Sequence, residues 1–125
     1  MNIEKEIQAK GLTAPRVTPA DIEANIASEH YFTASQALCT ALAMAAVGDA
    51  PFPQEVDDDT FETLDLLTFC VFVLRNGFTV TGESACASPE NFDAEIGRKI
   101  ARANAVAKVW PLMGYELRSK LAKDQ

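Results

Sequence analysis

The sequence has few of the residues on which catalysis and metal binding depend. It contains one histidine, His30, and three cysteines without CxxC spacing. It has no Walker lysine loop and no GxGxxG segment after a strand, which excludes the two familiar nucleotide cradles. The segment from Gly82 to Cys86 lacks the second glycine of a nucleophile elbow, and no histidine follows it. We therefore expect a protein that is not an enzyme, with no catalytic residue, metal or cofactor.

Long apolar segments are also missing. The longest, residues 66–74, spans nine residues, roughly half of the ~20 that a membrane-spanning helix requires. The amino-terminal residues lack the basic and apolar regions of a secretory signal, so we expect a cytoplasmic protein with no membrane partner. Cys39, Cys70 and Cys86 each stand among apolar or small residues, which predicts buried, reduced thiols and no zinc site.

Length and charge favour one soluble domain. The chain has 125 residues, of which 48% are apolar and 23% charged. We expect residues 1–17 to form a flexible arm and residues 18–125 a single domain. A formal charge of -7 argues against binding to duplex nucleic acid. The charge is uneven, however: it sums to -10 up to Glu90 and to +3 after it. This asymmetry either neutralises itself within the fold or leaves a local cationic face for a small anion.

A helix is predicted from Thr18 to about Ser28. Thr18 would be its N-cap, Pro19 would occupy its first position, and Asp21 would complete a capping box. Residues 29–33 suit a short strand, and the alanine-rich segment 34–47 predicts a second helix that stops at Gly48. Pro51 to Pro53 and the acidic residues 57–59 are expected to form a loop with solvated charges.

Two strand-like segments joined by Asn76-Gly77 predict a β-hairpin with a type I′ turn. A two-residue loop would pair Arg75 with Phe78 and Val73 with Val80. The first strand is apolar on both faces, so we expect it at the centre of the sheet and the second strand nearer an edge. The fold class is then α+β: a three-stranded antiparallel sheet of about residues 29–33, 64–75 and 78–87, packed against amino-terminal helices and a long carboxy-terminal helix.

That last helix should begin near Ser88 or Asn91, end at about Val109 before Pro111, and resume over residues 112–122. At 100° per residue it has two neighbouring surfaces. The first is an apolar stripe suited to covering a sheet, formed by Phe92, Ile96, Ile100, Ala103, Ala107 and Trp110. The second is a row of very small residues, Ala94, Gly97, Ala101 and Ala105, which favours close approach of a ligand or of another backbone, such as the alanine-rich helix.

The start of this helix is a candidate anion site, because free backbone N–H groups there favour phosphate. Asn91 would cap that end, and Arg98 and Arg102 share a helix face with it and with Glu95. Two interpretations stay open for this face. Either the face is exposed to solvent and Glu95 offsets the charge of its arginines, or the face is a phosphate-binding site completed by hairpin residues. Lys108 would then serve a second subunit's pocket or merely solubilise the helix.

Residues 68–86, with Pro89 to Asp93, Gly97 to Ala101 and Trp110 to Tyr115, resemble a family of small tailed-phage proteins known by gene position (gene-49/gene-66-like). The resemblance covers about residues 18–122 and is strongest after 66. The chain is also similar to the first Thoeris anti-defence family, whose members are oligomeric sponges that sequester cyclic ADP-ribose signals, and in some cases cyclic oligonucleotides, with no catalytic step. The alanine-rich segment 34–47 is longer than that family implies, which leaves its role open.

The resemblance implies a phage anti-defence protein in the host cytoplasm that sequesters a small phosphorylated nucleotide and forms a homo-oligomer. By position it points to Asn91 and, more loosely, to Lys108 and the second hairpin strand. A phage module that inhibits a host factor is the alternative, and a weak nucleotide hydrolase the third reading. The expected ligand-binding residues are Arg75, Phe78, Thr81, Ser84, Asn91, Phe92, Arg98, Arg102 and Lys108.

Overall fold

The fold is α+β, as expected, with three antiparallel strands in the order β1-β2-β3. The computed structural model describes residues 2–48 and 55–124. Within them the elements are α1 (Ile3–Ala9), α2 (Pro19–Asn25), β1 (Ile26–Thr33), α3 (Ala34–Val47), α4 (Asp58–Leu64), β2 (Leu67–Leu74), β3 (Thr79–Ala85), a 3₁₀ turn (Pro89–Asn91) and α5 (Ala94–Lys123).

The amino-terminal elements follow their local signals closely. Thr18 and Asp21 form the expected capping box at the start of α2. A second box joins Thr33 and Gln36 at the start of α3, which has the expected bounds. The end of α2 differs: the chain becomes extended at Ile26, because that β-branched residue pairs with Leu74 of β2. The strand is therefore three residues longer than predicted at its start.

The acidic residues 57–59 do not form a loop. Asp57 is the N-cap of α4, and its carboxylate accepts a hydrogen bond from the Thr60 N–H at 2.8 Å. Asp58 and Asp59 lie in the first turn, where negative charge is favoured by the helix dipole. The expected loop at Pro51 to Pro53 lies outside the described residues.

The hairpin is present, and β2 is its central strand, but the predicted register is wrong by one residue. Phe72 pairs with Val80, and Val73 with Thr79. Of the turn residues, only Gly77 has a positive φ, at 88°, whereas a type I′ turn requires positive φ at Asn76 as well. The loop therefore contains three residues, with Leu74 and Phe78 paired across it. As a result Phe72 and Val80 share the buried face.

Helix α5 is one continuous helix of 30 residues, not two segments. Its cap is Asp93, whose side chain accepts from the Ile96 N–H, and not Ser88 or Asn91. Pro111 lies inside it on an exposed side. Packing holds the helix together across the proline, since Val109 before it is fully buried and Met113 after it packs against the core.

The face of α5 that covers the sheet is not the expected apolar stripe but the neighbouring row of small residues. Gly97, Ala101, Ala105 and Val109 are buried, whereas the predicted apolar stripe is largely exposed. The cause is a close approach of two backbones. A Cβ added to Gly82 of β3 would collide with the backbone carbonyl oxygen of Ala101 and the backbone nitrogen of Ala105. Only very small side chains fit between α5 and the sheet at that distance.

The core lies between this small face and one side of the sheet. Its largest fully buried side chains are Phe72, Ile22, Val109 and Cys70. The expectation of buried thiols holds for Cys70, but Cys39 is exposed on α3 and Cys86 is half-buried. No helix among residues 2–48 and 55–124 has the length and apolar character to cross a membrane.

Candidate functional site

The candidate site for a small ligand is a cavity of about 410 Å³ at one end of the sheet, which we call the Arg98 cavity. Three segments meet there: the end of β1 with the start of α3, the start of β2, and the start of α5. Arg98 supplies its only basic side chain and Asp65 its only acidic one. The full lining is Tyr31, Phe32, Thr33, Gln36, Asp65, Thr68, Phe92, Ala94 and Arg98.

The close packing of α5 on β2 places Arg98 at this cavity. A Cβ on Gly97 would lie 3.1 Å from the Thr68 hydroxyl oxygen and 3.9 Å from the Phe92 ring. Thr68 itself is buried, with 3% of its surface exposed. Because Gly97 lies against the sheet, the Arg98 side chain projects about 100° around the helix axis from that contact and so lies beside the sheet. Arg98 and Phe92 therefore line the same cavity.

The other cations on the first half of α5 are neutralised within the chain. The Lys99 ammonium lies 3.2 Å from Glu95, and the Lys108 ammonium lies 3.8 Å from Glu83. Arg102 contacts two carboxylates, those of Glu23 and Glu29. In the part of the chain that the structure describes, Arg98 has no carboxylate within 4.0 Å. Arg98 is exposed, so its guanidinium donors are accessible to a ligand from solvent.

A charged network adjoins the cavity through Tyr31. Arg102 donates to Glu23 at 2.7 and 3.1 Å and to Glu29 at 3.2 Å through two nitrogens. Hydrogen bonds from Arg102, and then from Tyr31, lower the pKa of Glu29. Burial first, and then the bond from its hydroxyl to Glu29 at 2.7 Å, raise the pKa of Tyr31. Tyr31 is therefore a neutral ring with its hydroxyl held in place, presented to the cavity.

The nine expected ligand-binding residues do not form one site. Phe92 and Arg98 share the Arg98 cavity. Ser84, Asn91 and Phe92 line a smaller groove of about 200 Å³ between the end of β3 and α5. The remaining residues are spread out: Arg75 and Phe78 at the hairpin end, Thr81 hydrogen-bonded to Glu83, Lys108 paired with Glu83, and Arg102 in the charged network.

Two parts of the predicted phosphate clamp are wrong in their geometry. Asn91 lies in the 3₁₀ turn and does not cap α5, because the Asp93 carboxylate occupies that cap. A carboxylate at a helix start disfavours a phosphate there. Arg102 is also unavailable for such a clamp: it reaches across to Glu23 and Glu29, and its guanidinium carbon lies 5.5 Å from the centre of the Phe72 ring.

Sequence reasoning missed the opposite wall of the cavity, formed by Tyr31, Phe32, Thr33, Gln36 and Asp65. These residues come together with Arg98 only through tertiary contacts. The one local sequence signal is the pair of aromatic residues just before the capping box, within residues 31–33. Phe32 is held by an aromatic contact with Phe69 of β2, with ring centroids 5.8 Å apart.

Other reactive groups lie away from this cavity. His30 is exposed on β1, with its Nε2 3.1 Å from the Ser28 hydroxyl oxygen. Burial raises the pKa of the Cys70 thiol, which disfavours the thiolate that a nucleophile needs. Among residues 2–48 and 55–124, no group of three histidine, cysteine or carboxylate side chains could hold a metal ion. The cavity itself offers one cation, one carboxylate, hydroxyl and amide groups, and aromatic rings.

Comparison with known proteins places the chain among phage proteins. The model of the phage protein (N4 Gp49/phage Sf6 gene 66) family matches residues 17–121, which is most of the chain. The chain belongs to this phage family. Membership confirms the resemblance to phage proteins known by gene position, and the family's description gives genes rather than an activity. No curated protein and no solved structure matches the chain.

Proposed function

We propose that this phage protein binds a small phosphorylated nucleotide in the Arg98 cavity and sequesters it without cleaving it. The observation that carries the proposal is Arg98, a cation with no carboxylate partner among the described residues, in a cavity lined by aromatic rings. A phage protein that removes such a nucleotide from solution would blunt a host defence signal carried by it. Cyclic ADP-ribose and cyclic oligonucleotides are the signals that the sequence resemblance suggests.

The charge of the cavity supports an anionic ligand. An unpaired guanidinium binds a phosphate through two parallel N–H bonds, and each charge-assisted bond is stronger than a neutral one. The neighbouring Arg102 cannot compete for the ligand, because Glu23 and Glu29 already neutralise it. Attraction by Arg98 is local, which matters on a chain whose formal charge is -7.

The rest of the cavity supports a base and a sugar. Tyr31 and Phe92 supply aromatic faces on which a base can stack, a contact worth about 1–3 kcal/mol in single-stranded nucleic acid complexes. The Asp65 carboxylate can accept a hydrogen bond from a ribose hydroxyl or from the exocyclic amino group of a base. A volume of about 410 Å³ lies within the usual range for small-molecule pockets.

Sequestration rather than cleavage follows from the chemistry of the lining. The cavity holds a single carboxylate and no histidine, cysteine or lysine, so it lacks a paired general acid and base or an activated nucleophile. Much of its wall is fixed by the Thr33 and Gln36 capping box and by the Tyr31 bond to Glu29. A largely preformed pocket loses less entropy on binding, which favours the slow release that a sponge needs.

The test is calorimetric titration of purified protein with cyclic ADP-ribose and with a cyclic dinucleotide, repeated on R98M and K99M. Both substitutions remove one positive charge from neighbouring positions, but Lys99 is 73% exposed and pairs only with Glu95. We expect R98M to weaken binding by about 10- to 100-fold, the effect of losing a charge-assisted bond, and K99M to bind like the wild type. After denaturation, chromatography should recover the nucleotide intact.

Each other outcome overturns a stated part of the proposal. Equal affinity for R98M and the wild type would place the ligand outside the Arg98 cavity. Recovery of cleaved product would make the protein a hydrolase. If neither nucleotide binds, the proposed activity is wrong, and a protein-interaction module remains as the alternative.

A further inference from the structure

A second cavity lies at the hairpin end of the sheet, opposite the Arg98 cavity. Its volume is about 430 Å³, and it is enclosed by α2, by the hairpin turn and by the second half of α5. Thr68 lines the Arg98 cavity and Arg75 lines this one, and the extended chain between them spans roughly 20 Å. The two cavities are therefore separate, and we call this one the Arg75 cavity.

Arg75 is held at the end of α2 and keeps part of its guanidinium free. Its backbone N–H donates to the Asn25 carbonyl oxygen at 2.9 Å, and its Nε donates to the Ala24 carbonyl oxygen at 3.1 Å. Carbonyls in the last turn of a helix lack partners within the helix, which explains why the arginine is held there. Among residues 2–48 and 55–124, no carboxylate lies within 4.0 Å of Arg75. Arg75 is exposed, so its terminal nitrogens are accessible to a ligand from solvent.

Two asparagines beside Arg75 also present donors rather than acceptors. The Asn76 side-chain oxygen accepts from the Phe78 N–H at 2.9 Å, and the Asn25 side-chain oxygen accepts from the Arg75 N–H at 3.3 Å. Because a backbone N–H only donates, these bonds fix which end of each amide is the oxygen. Within the described chain, neither amide NH₂ group has a hydrogen-bond partner. This end of the sheet is therefore a set of N–H donors, which suits a ligand rich in acceptor oxygens.

The other charged residues of the cavity are engaged within the chain. Arg16 forms two hydrogen bonds of 2.7 Å with Glu4 of α1, and the Lys120 ammonium lies 3.6 Å from Glu116. The Asp21 carboxylate belongs to the capping box at the start of α2. The guanidinium that has no ion-pair partner in the described chain therefore determines the sign of the ligand, which is negative.

An apolar groove adjoins the donors. It has a volume of about 230 Å³ and shares Asn25 and Asn76 with the Arg75 cavity, and Phe78 and Leu112 are among its apolar walls. Phe78 is 55% exposed and Leu112 42%. Large exposed apolar side chains beside a few polar groups are typical of a site that receives an apolar group. The ligand therefore combines an anionic end with an apolar group next to it.

The carboxy-terminal end of a peptide matches both parts of this site. A guanidinium binds a carboxylate through two parallel N–H bonds, and the carbonyl of the preceding peptide bond accepts from an amide NH₂. A fatty acid has no acceptor beyond its carboxylate for the two asparagines, and an inorganic phosphate has no apolar group for the groove.

We propose that the Arg75 cavity binds the carboxy-terminal end of a partner protein whose last residue is large and apolar. The terminal carboxylate lies on Arg75, and the last side chain lies between Phe78 and Leu112. Capture of a chain end in this way is a known mode of peptide recognition. This inference does not depend on the proposed function, which concerns the opposite end of the sheet.

Fluorescence polarisation tests the proposal with labelled glycine–serine hexapeptides that differ only in the last residue, each made with a free carboxylate and as the carboxy-terminal amide. Peptides that end in leucine, isoleucine, methionine or phenylalanine should bind best, with a Kd between about 10 μM and about 1 mM. Their amides should bind at least about 10-fold more weakly, because a charge-assisted contact is lost. R75M should weaken binding to the same extent. R118M, which removes the same charge from an exposed position outside the cavity, should bind like the wild type.

Thermal melts followed by circular dichroism check that the variants are folded. If R75M is not, L112E replaces it, because this exposed position tolerates a charge that repels the carboxylate. Equal binding of the free and amidated peptides overturns the proposal, as does a folded R75M or L112E protein that binds like the wild type, or an R118M protein that binds as weakly as R75M. Absence of binding by every peptide at about 1 mM also overturns it. So does displacement of the peptide by cyclic ADP-ribose, which would make this a nucleotide site.

Discussion

Replacing Gly82 by alanine tests the packing on which the whole architecture depends. The added methyl group would point at two backbone atoms of α5, the Ala101 oxygen and the Ala105 nitrogen, and not at the end of a flexible side chain. Neither atom can move without shifting the helix, and α5 covers both β2 and β3. We therefore expect G82A to be one of the most destabilising single-methyl changes in the chain.

The size of the effect follows from the overpacking of protein cores. Inserting a methyl group into a packed core costs about 1–3 kcal/mol and more where the backbone must move, so we expect a loss of about 3 kcal/mol in the free energy of unfolding. For a domain of this length, that loss lowers Tm by roughly 10–15 °C. Urea denaturation measures the free energy, and differential scanning calorimetry measures Tm.

Two glycines of α5, Gly97 and Gly114, provide matched controls for Gly82 of β3. At Gly114 an added Cβ meets nothing within 4 Å, so G114A should stabilise the helix by about 0.5–1 kcal/mol, the difference in helix propensity. At Gly97 the same gain is opposed by the Thr68 hydroxyl at 3.1 Å, and the net effect should lie between the other two. If G82A were as stable as the wild type while G114A behaved as expected, the close contact between α5 and β3 would be refuted.

Two further results follow from the charged network and the thiols. The pKa of Glu29 is lowered in the folded protein, so the stability that its bonds contribute is present above its unfolded pKa, near 4.5, and is lost as the pH falls through the folded pKa. R102M should therefore be about 1–2 kcal/mol less stable than the wild type at neutral pH, and it should lose less stability on acidification. Urea unfolding across that range measures this, and parallel curves for R102M and the wild type would contradict it. With a thiol reagent, the exposed Cys39 should react first and the fully buried Cys70 only on unfolding. A C39S protein whose fast reaction has the same rate and amplitude as that of the wild type would contradict the exposure of Cys39.

Elements specified by neighbouring residues were predictable from the sequence. The capping box of Thr18 and Asp21 acts over three residues, and α2 begins where it indicates. The alanine-rich segment gives α3 its bounds, and the apolar character of residues 67–74 gives β2 its central place. In each case the determining interaction lies within one or two turns, or within one strand, so the pattern alone is sufficient.

Features set by tertiary contact were not predictable in the same way. The hydrophobic periodicity of α5 indicates the Ile96 and Ile100 face as the buried one, but the approach of the backbone at Gly82 selects the small face instead. A glycine inside a strand, together with small residues every four positions on a helix, is the signal that could have identified this packing. The hairpin register failed for a related reason: Asn-Gly also fits a three-residue loop in which only the glycine has positive φ.

The candidate site divides along the same line. Arg98 and Phe92 lie near the start of α5 and were both among the expected ligand-binding residues, although helix periodicity placed them on different faces. Tyr31, Phe32 and Asp65 come from segments more than 25 residues away in sequence, and nothing local relates them to Arg98. Arg102 shows the converse, since its helix position suggests a ligand-binding cation while two distant glutamates neutralise it.

The rotation of α5 about its own axis connects the fold to the candidate site. Successive residues of a helix point about 100° apart, so three consecutive positions face three surroundings. With Gly97 against Thr68, Ile96 lies on an exposed side of the helix and Arg98 at the cavity. Ile96 and Arg98 are then about 200° apart around the helix, on nearly opposite sides. The contact between Gly97 and Thr68 therefore determines which face of α5 reaches the Arg98 cavity.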